Sequence, residues 1–479
     1  MILKKRFISV IFLFFIFCIP SSSQQYVLLG WNDLGMHCSN QDFSKMAVLP
    51  PYNNVFAQLI KKQPGQPPQI VNTGFTIEYS IPGNTYSVGK TNFWTYAQVL
   101  FGLPSPLPNN IGLTGKGLTG IMDLQSNYFK VIGVPNTPFA DNDLNNEKPF
   151  QTFHLIAKLS GNVVATTDNV IPVSNEIGCV QSGCHSSEQS IKDNHENVPG
   201  FRQNSPELCA RCHASNALGT LGDPEAKPFS FRIHDQHKFI QPTNSINTCY
   251  KCHPGPNTQC FRDVMRSGDM TCQNCHGTMS NIASSIENGR RPWLDEPKCG
   301  STSCHGSNYS EEPNKLYRES NGHAGLLCSS CHGSPHAIYP TTQPNDNLQS
   351  IRVQGHAGTI NDCMVCHTVP PTGAGPHGMT YIGIIKINEE IPVSYNLYQN
   401  YPNPFNPVTV IKFDISKNTF VSLKVFDAIG REVEELVKGD VEPGSYSVEW
   451  NAEKYNSGIY FYMLKTDTYS QSRKMIVIK

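Results

Sequence analysis

Seven short motifs of cysteine and histidine constrain this chain more than any other feature of its sequence. Five have the form Cys-x-x-Cys-His and two have the longer form Cys-x4-Cys-His, and together they use 14 of the 17 cysteines. Because a histidine follows every second cysteine, the pattern predicts seven copies of one kind of site. In chain order the first to seventh motifs are Cys179, Cys184 and His185; Cys209, Cys212 and His213; Cys249, Cys252 and His253; Cys272, Cys275 and His276; Cys299, Cys304 and His305; Cys328, Cys331 and His332; and Cys363, Cys366 and His367.

The spacing of these motifs is typical of covalent attachment of heme c. The two thiols form thioether bonds with the two vinyl groups of the porphyrin, and the histidine binds the iron from the proximal side. Paired cysteines also form zinc ribbons, but zinc does not require a histidine directly after each pair. We therefore predict seven covalently bound hemes, with the motif histidines as proximal iron ligands.

The remaining histidines suggest the second axial ligands. Seven of them lie outside the motifs between the first motif and residue 377, a number equal to that of the predicted hemes. This equality predicts mostly bis-histidine iron, although some of the seven could instead be surface or hydrogen-bonded residues. The distal candidates are His195, His234, His237, His323, His336, His356 and His377, and two further histidines, His37 and His154, lie upstream.

Composition divides the chain into segments. Residues 1–23 combine Lys4, Lys5 and Arg6 with a following apolar run, which predicts an export signal peptide. Residues 176–381 form the predicted heptaheme domain. From residue 179 to 377 only 28 of 199 residues are Leu, Ile, Val or Phe, a content usually associated with disorder. We expect porphyrin to replace the missing apolar side chains, with short helices and irregular segments around it.

The flanking segments predict β-structure, so the expected fold class is multidomain. Residues 24–175 alternate strand-like runs with Gly, Pro and Asn turns and predict a β-rich domain. After a linker at 382–394, residues 395–479 predict an immunoglobulin-like β-sandwich, whose simplest role is that of a passive spacer. In the segment Gly30–Cys38, His37 is either an iron or metal ligand or part of a structural turn. Cys38 and Cys260 predict a disulfide, with free or intermolecular thiols as the alternative.

The last segment closely resembles the C-terminal sorting domain of type IX secretion substrates. The matching stretches are Tyr401–Pro407, Gly444–Trp450, Ser457–Tyr462 and Lys474–Lys479. The resemblance implies passage through the periplasm, contact with the type IX secretion machinery, and a final location at the cell surface or outside the cell.

The middle segment resembles secreted multiheme cytochromes of metal-reducing bacteria. The matching stretches are Gly322–Gly325, Cys331–His336, Gly355–Thr359 and Gly375–Gly378, and Trp31–Cys38 also recurs in similar proteins. This resemblance implies extracellular electron transfer, with His323, His336, His356 and His377 as distal ligands.

The expected function is therefore an electron relay between the cell envelope and an outside acceptor or donor, with redox cytochromes as partners. With 37 basic and 38 acidic residues, the chain lacks the basic surplus expected of a nucleic-acid-binding protein. The alternatives are a multiheme reductase or oxidase of a small nitrogen or sulfur species, and a self-assembling subunit of a conductive filament. We expect a carrier rather than a substrate-converting enzyme.

Overall fold

The computed structural model describes residues 25–240, 245–255, 257–309, 311–369, 371, 375–378, 384–388 and 391–479. The predicted signal peptide lies outside the described residues. None of the helices in this part of the chain is long and apolar enough to span a membrane.

The N-terminal region is built from two β-sheets that enclose one hydrophobic core. Along Thr152–Leu159 alternate residues are buried, as expected where one face of a strand packs inward. Phe153 and Leu155 from this sheet and Val55 and Phe129 from the other sheet belong to the same buried cluster. A helix, Phe93–Phe101, buries Phe93, Ala97 and Leu100 in a separate apolar cluster. The first sheet contains Tyr26–Asn32, Asn53–Gln63, Gln66–Ile70, Asp123–Leu124 and Phe129–Val134, and the second Phe75–Ser80, Gly120–Ile121, Thr152–Leu159 and Asn162–Val170.

The region that carries the motifs consists of short helices and loops with little apolar core. Its internal cluster of buried apolar residues within the described chain is small and consists of Phe231, Ala283 and Ile286. The α-helices are Glu188–Asp193, Phe229–His237, Ile246–Cys249, Val264–Ser267, Cys272–His276, Met279–Glu287, Cys328–His332 and Leu348–Gln354. The 3-10 helices are Cys209–Arg211, Lys238–Ile240, Ser307–Tyr309, Tyr317–Glu319, His323–Gly325, Pro344–Asn347, Cys363–Val365 and Pro376–Gly378.

The motif region and the N-terminal region share contacts rather than forming separate units. Met46–Ala47 of the N-terminal region pairs in parallel with Glu207–Leu208 of the motif region. Within the N-terminal region, His37–Cys38 pairs in parallel with Val173–Ser174. Within the motif region, Gly333–Ser334 and Ala337–Ile338 form an antiparallel hairpin. Leu29 of the first sheet is buried in one cluster with Leu326 and Val365. The motif region therefore uses the N-terminal sheet as part of its own core.

The C-terminal region also has two four-stranded sheets around one apolar core. Val421, Leu423 and Val425 alternate along their strand and are fully buried, and Trp450 lies in the same cluster. Part of the predicted linker is a strand here, since Ile385–Asn388 pairs with Gly444–Asn451. One sheet contains Ile385–Asn388, Asn396–Leu397, Val408–Ile415 and Gly444–Asn451, and the other Thr419–Asp427, Glu432–Val441, Gly458–Lys465 and Ser470–Val477.

Candidate functional site

The two motif spacings close into the same backbone loop. In the Cys-x-x-Cys-His motifs of His213, His253 and His367, the histidine amide donates to the carbonyl of the first cysteine at 2.9 Å. In the longer motifs, His185 and His305 make the same bond at 3.1 and 3.2 Å. The two extra residues are thus accommodated between the same end points, and each histidine returns to its first cysteine.

Six motif histidines face a non-motif histidine across a nearly constant gap. The ring centroids of these six couples are all 5.9 to 6.3 Å apart. Two imidazoles that bind one metal from opposite sides, with metal–nitrogen bonds of about 2 Å, have centroids about 6 Å apart. The couples are His185 with His237, His213 with His195, His253 with His234, His276 with His336, His332 with His377, and His367 with His323.

Hydrogen bonds of the non-motif histidines leave their outer ring nitrogens available. On the helix Phe229–His237, His234 and His237 donate from Nδ1 to the carbonyls of Ser230 and Ile233, at 2.7 and 2.9 Å. His195 bonds the Ile191 carbonyl in the same way at 3.2 Å. With Nδ1 protonated in a neutral ring, the lone pair is on Nε2, which is the atom that can bind a metal.

Burial favours the neutral form of three of the motif histidines. Burial first, and then the charge of neighbouring histidines, lowers the pKa of His253 and His332 to about 4 and that of His276 to about 3. Neutral imidazole is the form that ligates iron. Within the described residues, no three side chains of His, Cys, Asp or Glu form a metal-binding group. The histidines of the six couples are instead arranged as pairs.

Contacts between motifs place the sites next to one another. The first and third motifs are neighbours because the Gly178 amide lies 3.5 Å from the Cys252 carbonyl, and because His234 and His237 face them from adjacent turns of one helix. The third and fourth touch through Gln273, whose Nε2 donates to Cys249 Sγ at 3.4 Å.

The later motifs continue this contact series. Tyr309, beside the fifth motif, has its ring 4.9 Å from that of His377, the partner of the sixth motif. The sixth and seventh are joined because Cys331 and Cys366 pack on one apolar cluster. Two further pairs of motifs influence each other through the charge of their thiols. For the second and first motifs, burial and then the charge of Cys179 raise the pKa of Cys209 to about 12. For the fourth and fifth motifs, burial and then the charge of Cys304 raise the pKa of Cys275. Taken together, these links place the seven motifs in one series, in the order second, first, third, fourth, fifth, sixth and seventh motif.

Two histidines belong to none of the six couples: His305 of the fifth motif and the distal candidate His356. His305 is exposed. His356 is buried, and its Nδ1 donates to the Ala357 carbonyl at 2.9 Å.

The two upstream histidines are bonded to carboxylates. His37 is buried, and its Nε2 lies 2.6 Å from Asp33 Oδ1, with its ring edge-on to Tyr52 and Trp293. His154 Nδ1 lies 2.6 Å from Asp168 Oδ1 on the neighbouring strand. Of the two interpretations of His37, the arrangement favours the structural turn.

The predicted disulfide is absent from the structure, in which Cys38 and Cys260 are free thiols. Burial raises the pKa of Cys38 to about 12, and the charge of Cys260 adds to this shift. Spacing along the chain could not decide whether this pair forms a bond.

Comparison with known proteins identifies the C-terminal region. Residues 399–479 match the family described as secretion system C-terminal sorting domain. The predicted type IX sorting domain is therefore present, and it directs the protein to the cell surface or the extracellular space through association with that secretion machinery. No curated protein sequence is significantly similar to the chain.

Among solved structures, the chain is similar to PorZ, an essential bacterial surface component of the type IX secretion system of Porphyromonas gingivalis. The sequences are 18% identical, and the TM-score is 0.14. The similarity covers 24% of this chain and spans 16% of the length of the PorZ chain.

Proposed function

We propose that this chain is a secreted multiheme c-type cytochrome that relays electrons between the cell envelope and an extracellular acceptor or donor. The observation that carries the proposal is the set of six histidine couples, whose centroid distances differ by only 0.4 Å. Side-chain packing alone gives no reason for six separate pairs to keep one spacing. A metal bound between each pair of rings gives such a reason.

The ligand set suits heme. Each couple would supply two nitrogens to a heme iron, and the porphyrin would supply the other four ligands. Each motif also contributes two cysteines, which are the groups that attach heme c. Bound heme would supply a reversible one-electron carrier whose potential depends on its axial ligands and its burial. The scarcity of apolar side chains in the motif region is consistent with a core filled by seven cofactors.

The order in which the motifs follow one another in space supports a single relay path. Because each motif is a neighbour of the next in the series, electrons would enter and leave at its two ends, the second and the seventh motifs. The sorting domain supports an extracellular partner, since it directs the protein outside the cell. We propose that this partner is a redox cytochrome or a terminal electron acceptor.

A heme count on the purified protein tests this proposal. The chain would be expressed with the periplasmic heme-attachment machinery, and its covalent hemes counted by mass and by pyridine hemochrome absorbance. We expect seven hemes in the wild type and six after loss of the fourth motif in the variant Cys272→Ser/Cys275→Ser. The matched control Cys260→Ser changes a cysteine outside the motifs and should retain seven. Mature wild-type protein without covalent heme would overturn the proposal.

A reductase is a second candidate because of the fifth motif. His305 is not in one of the six couples and is exposed, and a catalytic iron requires an open coordination position. Carbon monoxide and nitrite distinguish the two functions. A pure relay should give low-spin spectra that neither ligand alters, whereas a reductase should show about one high-spin heme in seven that binds them. Loss of this response in His305→Ala would assign it to the fifth motif.

A further inference from the structure

One distal candidate, His336, receives its support from the distant N-terminal region. His195, His234 and His237 lie on or directly after short helices, and each donates from Nδ1 to a carbonyl four residues earlier. His336 instead lies in the turn of the hairpin formed by Gly333–Ser334 and Ala337–Ile338. Its Nδ1 is 3.2 Å from the carbonyl oxygen of Leu34, 302 positions away in the chain.

The loop 32–37, which carries Leu34, is fitted closely to this hairpin. Ser334 Oγ donates to the Asn32 carbonyl at 2.6 Å. Gly35 has a φ of +76°, and a Cβ placed on it would lie 2.1 Å from the Pro335 carbonyl oxygen. Only glycine combines this left-handed backbone with such a close approach.

Asp33 and His37 hold the loop in this shape. The Asp33 carboxylate is buried and bonds His37 at one oxygen, while its other oxygen accepts from Asn54 Nδ2 at 2.8 Å. On the far side of the contact, Arg262 donates from its guanidinium to the Gly35 carbonyl at 2.8 Å and from its backbone amide to the His336 carbonyl at 3.1 Å. The same arginine therefore fixes the loop and the histidine relative to each other.

We propose that the loop 32–37 is a positioning element that orients His336 as the distal ligand opposite His276. This inference rests on the proposed heme function. The Leu34 carbonyl fixes the tautomer and ring angle of His336, and a hydrogen bond of this kind also raises the basicity of a ligating histidine. The N-terminal region thus completes one of the seven sites instead of only covering it.

The test compares two glycine variants of the holoprotein. Gly35→Ala places a methyl group against Pro335 and should displace the Leu34 carbonyl from His336. Gly65→Ala is the matched control, because Gly65 also has a positive φ, +66°, but a Cβ there meets nothing within 4 Å. Mutation of an outer-shell partner typically costs 10- to 100-fold in metal affinity or activity. The readout is the electron paramagnetic resonance spectrum, with His336→Gly as the reference for the affected heme.

We expect Gly35→Ala to convert about one heme in seven to a high-spin or exogenous-ligand-binding form, matching the His336→Gly spectrum and returning to low spin with added imidazole. Gly65→Ala should keep the wild-type spectrum. If Gly35→Ala does not fold, Asp33→Asn, which removes the charge facing His37, should affect the same heme.

Unchanged low-spin hemes in both loop variants would overturn the inference while leaving the cytochrome proposal intact. Spectral changes spread over several hemes would overturn it as well, because they would indicate a general loss of structure. Wild-type protein without heme would overturn both proposals.

Discussion

Removing the carboxylate of Asp346 should destabilise the protein strongly, because it leaves a buried arginine without its counter-ion. Arg262 and Asp346 are both almost fully buried and form a two-bond pair, Nε to Oδ2 at 2.6 Å and Nη2 to Oδ1 at 2.8 Å. The guanidinium also donates to the carbonyls of Gly35 and Cys260 and lies 4.6 Å from the centre of the Phe150 ring.

The magnitude follows from these bonds. In Asp346→Ala the carbonyl contacts remain, but Thr341 Oγ1 loses its acceptor at 2.9 Å, and the two charge-assisted hydrogen bonds with Arg262 are lost, each contributing about 1.5 to 3 kcal/mol. Their sum of roughly 3 to 6 kcal/mol agrees with the cost of about 3 to 5 kcal/mol for breaking a buried ion pair on one side. For an m-value of about 3 kcal/mol per molar, the urea midpoint should fall by roughly 1 to 2 M.

The assay is urea unfolding of the holoprotein followed by far-ultraviolet circular dichroism, read at the transition that includes the N-terminal sheet. The matched control is Asp295→Ala, which breaks the exposed pair of Arg291 with Asp295, at 3.0 Å; its midpoint should not change measurably, since exposed pairs contribute little. A midpoint for Asp346→Ala within about 0.3 M of the wild type would refute the reasoning that the buried guanidinium depends on this carboxylate.

Three further predictions concern the hemes, acid stability and export. The ring planes of three couples cross at 59° to 75° and those of the other three at 32° to 35°. Because the relative orientation of the two axial rings sets the splitting of the iron d orbitals, the low-spin electron paramagnetic resonance signals should divide into two classes. A single uniform class of signals would contradict this prediction. Burial raises the pKa of Glu207, but hydrogen bonds from Arg211 and Arg202 outweigh it and lower the pKa to about 2. The contribution of Glu207 should therefore be complete above its ordinary pKa of 4.5 and be lost as the pH falls towards about 2, so the difference in urea midpoint between wild type and Glu207→Gln should shrink over this range; a constant difference would refute the assignment. Deleting residues 399–479 should retain the protein in the periplasm, as measured by cell fractionation and immunoblotting beside the intact chain, and surface exposure of the truncated protein would argue against the sorting role.

Local patterns allowed accurate prediction where a segment's own residues determine its structure. The sequence has a period-2 pattern at Val421–Phe426 and Ile459–Leu464, and both runs lie within strands, Thr419–Asp427 and Gly458–Lys465, because alternate burial requires apolar residues at every second position. The strand Glu432–Val441 shows no comparable alternation in the sequence, because charged residues interrupt it. The strand Ile385–Asn388 lies in the segment predicted as a linker, and its own residues do not reveal it because its pairing partner lies some 60 residues further along.

Some parts of the candidate site could also be predicted from local sequence, and others could not. The seven motifs, the seven distal candidates and their equal number could be read from residue types and spacing. The couples could not, because partners range from 18 positions apart, for His195 and His213, to 60 apart, for His276 and His336. Nor does any motif indicate that the Leu34 carbonyl bonds His336, since a backbone oxygen has no residue type to recognise.

The sequence by itself determined the chemistry available to this protein: the thiol pairs, the histidines beside them and the alternating strands of the sorting domain. These are local properties, fixed by spacing within a few residues. Only the tertiary structure decided which histidine faces which motif, in what order the motifs follow one another in space, and that His37 bonds Asp33 rather than facing a motif. Such choices depend on contacts between segments far apart in the chain, where the free energy of packing and of buried hydrogen bonds, not spacing, selects the partner.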